Sequence, residues 1–280
     1  MITKNPMQLK AFVKNKSKES GITAQLVMQN YMMERLLERI SLSKYRHGFI
    51  LKGGFLIAAI VGLDSRATMD MDATVKGITL THESLQKIFE EICSIPIADN
   101  IEFSILRISD IREGDEYPGL RGHLSANYAP LAVPVAVDVT TGDRITPNEI
   151  EFSYKLMFEG RSISVMSYNL ETILAEKLET VLSRSIANTR PRDFYDIYIL
   201  NAVRGADCDL PTLKQALDET TEKRGSGYVL KEYREIVSTI QGNLQMQGFW
   251  EKYRKDYSYA KDITFEDVCA SVLSIMGSLS

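Results

Sequence analysis

A chain of 280 residues, 44% hydrophobic and 25% charged, is long enough to fill two ordinary cores and reads as a globular protein. Its net charge of −4 excludes a protein that coats nucleic acid by bulk electrostatics; Arg184, Arg190 and Arg192, and then Lys223, Arg224, Lys231 and Arg234, read either as solvated helix faces or as a local basic surface. The longest apolar run, Phe55 to Leu63, is about half of the ~20 residues a membrane-spanning helix needs, and the polar stretch Met1 to Gln8 lacks the order of a secretory signal, so a cytoplasmic location with no membrane contact is expected.

Asn5 followed by Pro6 fits an N-cap and first helical position, and Met7, Leu9, Phe12 and Val13 predict a short opening helix. From Thr23 to Ile40, apolar residues at Leu26, Met32, Leu36, Leu37 and Ile40 predict a second, amphipathic helix that ends in the turn Ser41 to Lys44. Residues 1–45 are therefore read as helices packing on a core formed by residues 46–167, where the pattern becomes mixed. Phe49 to Leu51 leads through Gly53-Gly54 into an apolar helix starting near Phe55, and Met69 to Val75 alternates with the period of a strand. His82 to Ser94 reads as helix. Ile101 to Ile108, His123 to Tyr128 and Leu131 to Thr140 read as strands, and Phe152 to Met166 as a hairpin turning at Glu159-Gly160, with antiparallel pairing among these later strands. Residues 168–280 read as a helical domain with breaks near Asn188 to Pro191, Gly205 to Pro211, Gly225 to Gly227 and Ser258 to Asp262. The fold class is α+β. Cys93, Cys208 and Cys269 are odd in number and far apart, which suits reduced thiols, and His47, His82 and His123 lack the spacing of a zinc site.

The sharpest local feature is Arg66-Ala67-Thr68-Met69-Asp70-Met71-Asp72. Two carboxylates at i and i+2 of a strand project from one face, while Met69, Met71 and Ala73 turn to the core. Side by side, such carboxylates repel each other unless a cation separates them, which suits Mg²⁺; the alternative is a pair of solvated acids on an edge strand. In Val133-Pro134-Val135-Ala136-Val137-Asp138-Val139 the valines share one face, and Asp138 lies on the other with only Pro134 and Ala136. Asp138 is thereby a candidate third metal carboxylate beside Asp70 and Asp72. Lys52-Gly53-Gly54 before a helix permits close approach of backbone to a phosphate, or is simply a tight turn. Lys177 falls within the apolar stripe Leu170, Ile173, Leu174, Leu178, Val181 and Leu182, where it either snorkels or reaches a phosphate or carboxylate. Asp193 and Asp196 share one face near the start of a helix, which either of them could stabilise.

Taken in order, these pieces resemble the AbiEii family of nucleotidyltransferase toxins, related to the MenT toxins. The resemblance runs to about residue 204 and rests on Gln29 to Leu37, Leu51-Lys52-Gly53-Gly54, Arg66 to Asp72, Ala175-Glu176-Lys177-Leu178 and Arg192 to Tyr198. It implies a DNA polymerase β-like nucleotidyltransferase core, a mixed sheet with flanking helices, followed by the helical domain. It also implies the role of toxin in a bacterial toxin-antitoxin and abortive-infection module directed against phage, with an AbiEi-like antitoxin as partner. Relatives of the MenT type transfer a nucleotide from a nucleoside triphosphate to the 3′ end of tRNA and so block translation; the nucleotide implied is GTP, CTP or another. By the same resemblance Asp70 and Asp72 bind Mg²⁺, Lys177 with Asp193 or Asp196 completes the essential set, and Lys52, Gly53, Gly54, Arg66 and Thr68 surround the nucleotide. The family's first motif commonly carries a serine or threonine beside its glycine; here Phe55 follows Gly54, which leaves phosphate contact at that point to the backbone.

Rival readings keep the chemistry but change the acceptor to a protein or small molecule, drop catalysis in favour of a GTP- or NTP-binding module, or make the acids those of a metal-dependent nuclease. Three carboxylates speak against a mere binder, which has no need of them. Labelled product, and RNA that lengthens rather than shortens, separates these readings.

Overall fold

The computed structural model describes residues 5–111 and 119–279, so the part of the Met1–Gln8 stretch before Asn5 lies outside the described residues. The chain forms two compact units: Met1–Asp143 with Glu149–Ser167, and Arg144–Asn148 with Tyr168–Ser280. Among the described residues no helix is long and apolar enough to cross a membrane.

The first unit opens with α1 (Pro6–Ser20), capped by the Asn5 side chain and closed by left-handed Gly21, and α2 (Ala24–Leu42). Helix α1 extends well beyond the expected short piece. Helix α2 departs further from expectation: from Gln29 to Ser41 it is buried on every side, not on one face. The charges on what an amphipathic helix would leave to solvent are neutralised inside. Arg35 pairs with Glu34 at 2.6 Å and with Glu38 and Glu159 at 2.8 Å, and Arg39 grips both oxygens of Asp99 at 2.8 and 2.9 Å. Buried charges persist only when paired in this way. Glu34 also accepts the Met157 N–H at 2.6 Å, and burial pushes its carboxyl up to about 7.

Against these helices lies a mixed seven-stranded sheet of order β3-β4-β5-β2-β1-β7-β6. Its strands are β1 (Phe49–Lys52), β2 (Asp70–Val75), β3 (Glu102–Ile111), β4 (Gly119–Tyr128), β5 (Leu131–Thr141), β6 (Ile150–Lys155) and β7 (Ser162–Ser167). As expected, β3, β4 and β5 pair antiparallel and β6 forms a hairpin with β7; β2 with β5, and β1 with β7, are parallel. Helix α3 (Gly53–Val61) joins β1 to the chain leading into β2, and α4 (His82–Cys93) starts on a capping box between Thr81 and Ser84. Strand β4 begins at Gly119 rather than His123. Gly122 hid it, but the gap it leaves is required, since a Cβ there would lie 3.0 Å from Cζ of the Phe89 ring of α4. Met69, expected in the core with Met71 and Ala73, precedes β2 and is 53% exposed.

The second unit is helical: α5 (Leu170–Arg184), α6 (Pro191–Arg204), α7 (Leu210–Arg224), α8 (Val229–Gly242), α9 (Leu244–Asp256) and α10 (Phe265–Ser278). The expected breaks separate them, with one more at Asn243, whose side chain accepts from the amides of Gln245 and Met246 and starts α9. The segment Arg144–Asn148 is stitched to α5, Asn169 donating to the Thr146 carbonyl at 2.6 Å and Thr172 accepting from the Thr146 amide at 3.1 Å. Of the basic residues, Arg224 is engaged by Glu179, whereas Arg184 and Arg192 are exposed.

Candidate active site

Three adjoining strands build the centre of the site. Strand β2 lies between β1 and β5, and the register aligns Lys52 with Asp72, Asp72 with Asp138, and Asp138 with Arg121. Residues directly opposite one another share a face. One row across β1, β2, β5 and β4 therefore carries a cation, two anions and a cation, and Asp70 stands two residues before Asp72 on the same face. On β2 the face opposite is buried through Met71, Ala73 and Val75, and on β5 through Val135, Val137 and Val139. This apolar anchoring fixes which way the carboxylates point, because a one-residue slip would bury them.

Gly53 brings the start of α3 against Asp72. Its φ is +64°, and a Cβ there would lie 2.7 Å from Asp72 Cγ and 2.8 Å from Asp72 Cβ. Lys52, the N-cap, provides no side-chain cap to α3; the Gly54 amide instead points to Asp72 Oδ2 at 3.4 Å. At Gly54 two predicted nucleotide-binding side chains converge: a Cβ placed there would be 3.1 Å from Arg66 Nη2 and 3.1 Å from Thr68 Oγ1. A hydroxyl thus reaches the place where Phe55 supplies none. Lys52 stands differently. Its ammonium is buried and held by Thr140 Oγ1 at 2.7 Å and by Asp143.

Two side chains that carried no role in the sequence position this site. Asn30 of α2 donates to the Thr68 carbonyl at 2.8 Å and so holds the approach to β2. Arg121 of β4 forks onto Asp138, Nε to Oδ1 at 2.5 Å and Nη2 to Oδ2 at 2.7 Å, and Nη2 lies 3.3 Å from Asp70 Oδ2. The hydrogen bonds to Asp138, outweighing partial burial, raise the basicity of Arg121 above the usual guanidinium range. Nothing in the sequence around Arg121 signals this, since its place depends on the register of β4 with β5.

The donor set is one of carboxylate oxygens, which in kind suits Mg²⁺. As the side chains stand, no group of three His, Cys, Asp or Glu among the described residues is gathered to hold an ion. The cation between Asp70 and Asp138 is the Arg121 guanidinium, which stands in for one. Asp70 and Asp138 thus converge on a single positive charge, a demand that a divalent cation would also meet.

Lys177, Asp193 and Asp196 come together in the helical unit. Lys177 Nζ lies 2.6 Å from Asp193 and 2.8 Å from Asp196, both aspartates being buried. Of the alternatives open for this lysine, the structure shows carboxylate pairing. Burial alone would lower its pKa, but the charges of Asp196 and Asp193 outweigh that and raise it, so the ammonium stays charged.

The family model described as "Nucleotidyl transferase AbiEii toxin, Type IV TA system" matches residues 35–271. Among solved structures, JHP933 from Helicobacter pylori is 15% identical with a TM-score of 0.51, over 92% of this chain and 94% of that one. A candidate nucleotidyltransferase from the same organism is also 15% identical, with a TM-score of 0.52 over 92% and 97% of the two chains. At this identity the likeness is one of fold. A comparison with curated proteins gave no match.

Proposed function

The chain belongs to the AbiEii nucleotidyl transferase toxin family, and on that premise we propose that it is a Mg²⁺-dependent toxin that transfers a nucleoside monophosphate from a nucleoside triphosphate to the 3′ end of tRNA. The observation that carries this reading is the alignment of Asp70, Asp72 and Asp138 on one sheet face beside the glycine start of α3. Asp70, Asp72 and Asp138 would hold the metal, which when bound supplies charge neutralisation on the triphosphate and on the departing pyrophosphate. The Gly53 and Gly54 backbone, Arg66 and Thr68 orient the phosphates. Asp138, once released from the Arg121 fork, would help draw off the proton of the acceptor hydroxyl; the hydroxyl oxygen then bonds to the α-phosphorus as the bond to the β-phosphate oxygen breaks. Such a displacement needs positioning and electrostatics more than covalent chemistry. Lys177 with Asp193 and Asp196 forms a fixed charged cluster that orders the start of α6. A nucleoside triphosphate, GTP, CTP or another, is the donor, an AbiEi-like antitoxin the partner, and abortive infection of phage-infected cells the setting.

Incubating the protein with each labelled triphosphate, Mg²⁺, total cellular RNA and total protein tests this. Label on tRNA-sized RNA supports it; label on protein alone moves the chemistry to another acceptor, and shortened RNA replaces transfer with nuclease action.

A further inference from the structure

Arg121 touches two of the three carboxylates, and the proposed nucleotide transfer gives it no task. Its guanidinium takes both oxygens of Asp138 in a fork, reaches Asp70 with the same nitrogen that holds Asp138 Oδ2, and is one-third exposed. A forked guanidinium and a divalent ion make the same demand on a carboxylate: its oxygens and its negative charge. A metal bonds carboxylate oxygen at about 2.0–2.1 Å if it is Mg²⁺, so an ion between Asp70 and Asp138 would meet the guanidinium at contact distance. Two positive centres so placed repel each other strongly.

We propose that Arg121 is a built-in counter-cation of the Asp70–Asp138 pair and competes with the divalent metal, so that the Arg121–Asp138 fork and metal binding exclude one another. Arg121 is in this sense a positioning residue. With no metal bound it keeps two neighbouring carboxylates from repelling, and it lowers the affinity of the site for free divalent ions. Because it is partly exposed, the side chain can leave toward solvent without a cavity forming in the core. The inference rests on the assignment of these carboxylates to metal under the proposed function.

Mn²⁺ serves as the probe, its free concentration read directly by electron paramagnetic resonance, with wild type, Arg121→Lys, Arg121→Ala and the double variant Arg121→Ala/Asp138→Asn. Removing the fork is expected to tighten Mn²⁺ binding by roughly tenfold, the size of one good charge-assisted contact. Arg121→Lys, which keeps the charge but not the fork, should fall between, and the double variant should lose the gain. If Arg121→Ala does not fold, a several-fold tightening in Arg121→Lys is the expected result and no tightening overturns the proposal. Equal or weaker binding by Arg121→Ala also overturns it, showing that the arginine holds the carboxylates ready for the ion. Nucleotide transfer by wild type, followed alongside, separates the two claims: transfer with unchanged Mn²⁺ affinity across the variants sinks only the role of Arg121, whereas neither transfer nor Mn²⁺ binding sinks both.

Discussion

Gly53→Ala separates the geometry of the site from the stability of the fold. Gly53 has φ +64°, and a Cβ there would sit 2.7 Å from Asp72 Cγ. Carbon atoms in good contact are about 3.5–4.0 Å apart, so the Asp72 side chain must retreat by about 1 Å. The left-handed backbone adds about 1–2 kcal/mol of strain for any residue with a Cβ. Gly77 provides the control: its φ is +70°, and nothing lies within 4 Å of an added Cβ. Gly77→Ala should therefore lose a few degrees in Tm, at about 2–4 °C per kcal/mol for domains of this size, and Gly53→Ala more, because its added Cβ also presses on Asp72. Only Gly53→Ala moves a carboxylate, and a displacement of ~1 Å at a reacting centre costs about 10²-fold in rate. Label transfer from nucleoside triphosphate, measured beside thermal unfolding, checks both numbers. Equal activity in the two variants would refute the claim that Gly53 exists to admit Asp72.

Lys177→Met removes the ammonium that buried Asp193 and Asp196 share, leaving the Arg190 guanidinium at 3.4 Å on Asp193, and should cost about 3 kcal/mol, read as a fall in Tm; an unchanged Tm would mean that the cluster is not structural. Asn30→Ala removes the buried hydrogen bond to the Thr68 carbonyl and should cost about 1–3 kcal/mol while raising KM for the triphosphate; the stability loss without the KM change would confine Asn30 to packing. Glu34 holds its proton to about 7 in the folded chain against 4.5 in its ordinary state, so the folded form binds more protons across that window and stability falls as pH rises through it. The contribution is up to about 3 kcal/mol, and Glu34→Gln should flatten the pH dependence of Tm between pH 5 and 7 relative to wild type. Parallel curves for the two proteins would show that Glu34 does not titrate there.

Much of this architecture was legible because it rests on local pattern. Period-two alternation placed Asp70, Asp72 and Asp138 on polar faces opposite buried methionine, alanine and valines, and turn residues located the hairpin of β6 and β7 and most helix breaks. What stayed hidden depends on distant partners. The charges of α2 suggest solvent, and partners far along the chain, among them Asp99, Glu159 and Arg161, make their burial tolerable. Arg121 sits between glycines that hide a strand, and its meaning comes from facing Asp138 across a register no local pattern sets. Lys52, beside two glycines, looks free to meet a phosphate until Thr140 and Asp143 are folded against it.

Asp72→Asn is the substitution that bears most directly on the central claim, because it keeps the size of the side chain and removes its charge at the meeting point of β1, β2 and β5. Purified wild type and variant, matched for Tm, are given labelled nucleoside triphosphate, Mg²⁺ and cellular RNA. The predicted result is labelled RNA with wild type and a loss of at least ~10²-fold with the variant, the scale of a removed electrostatic contact in such chemistry. Undiminished transfer by Asp72→Asn would contradict a catalytic role for these carboxylates.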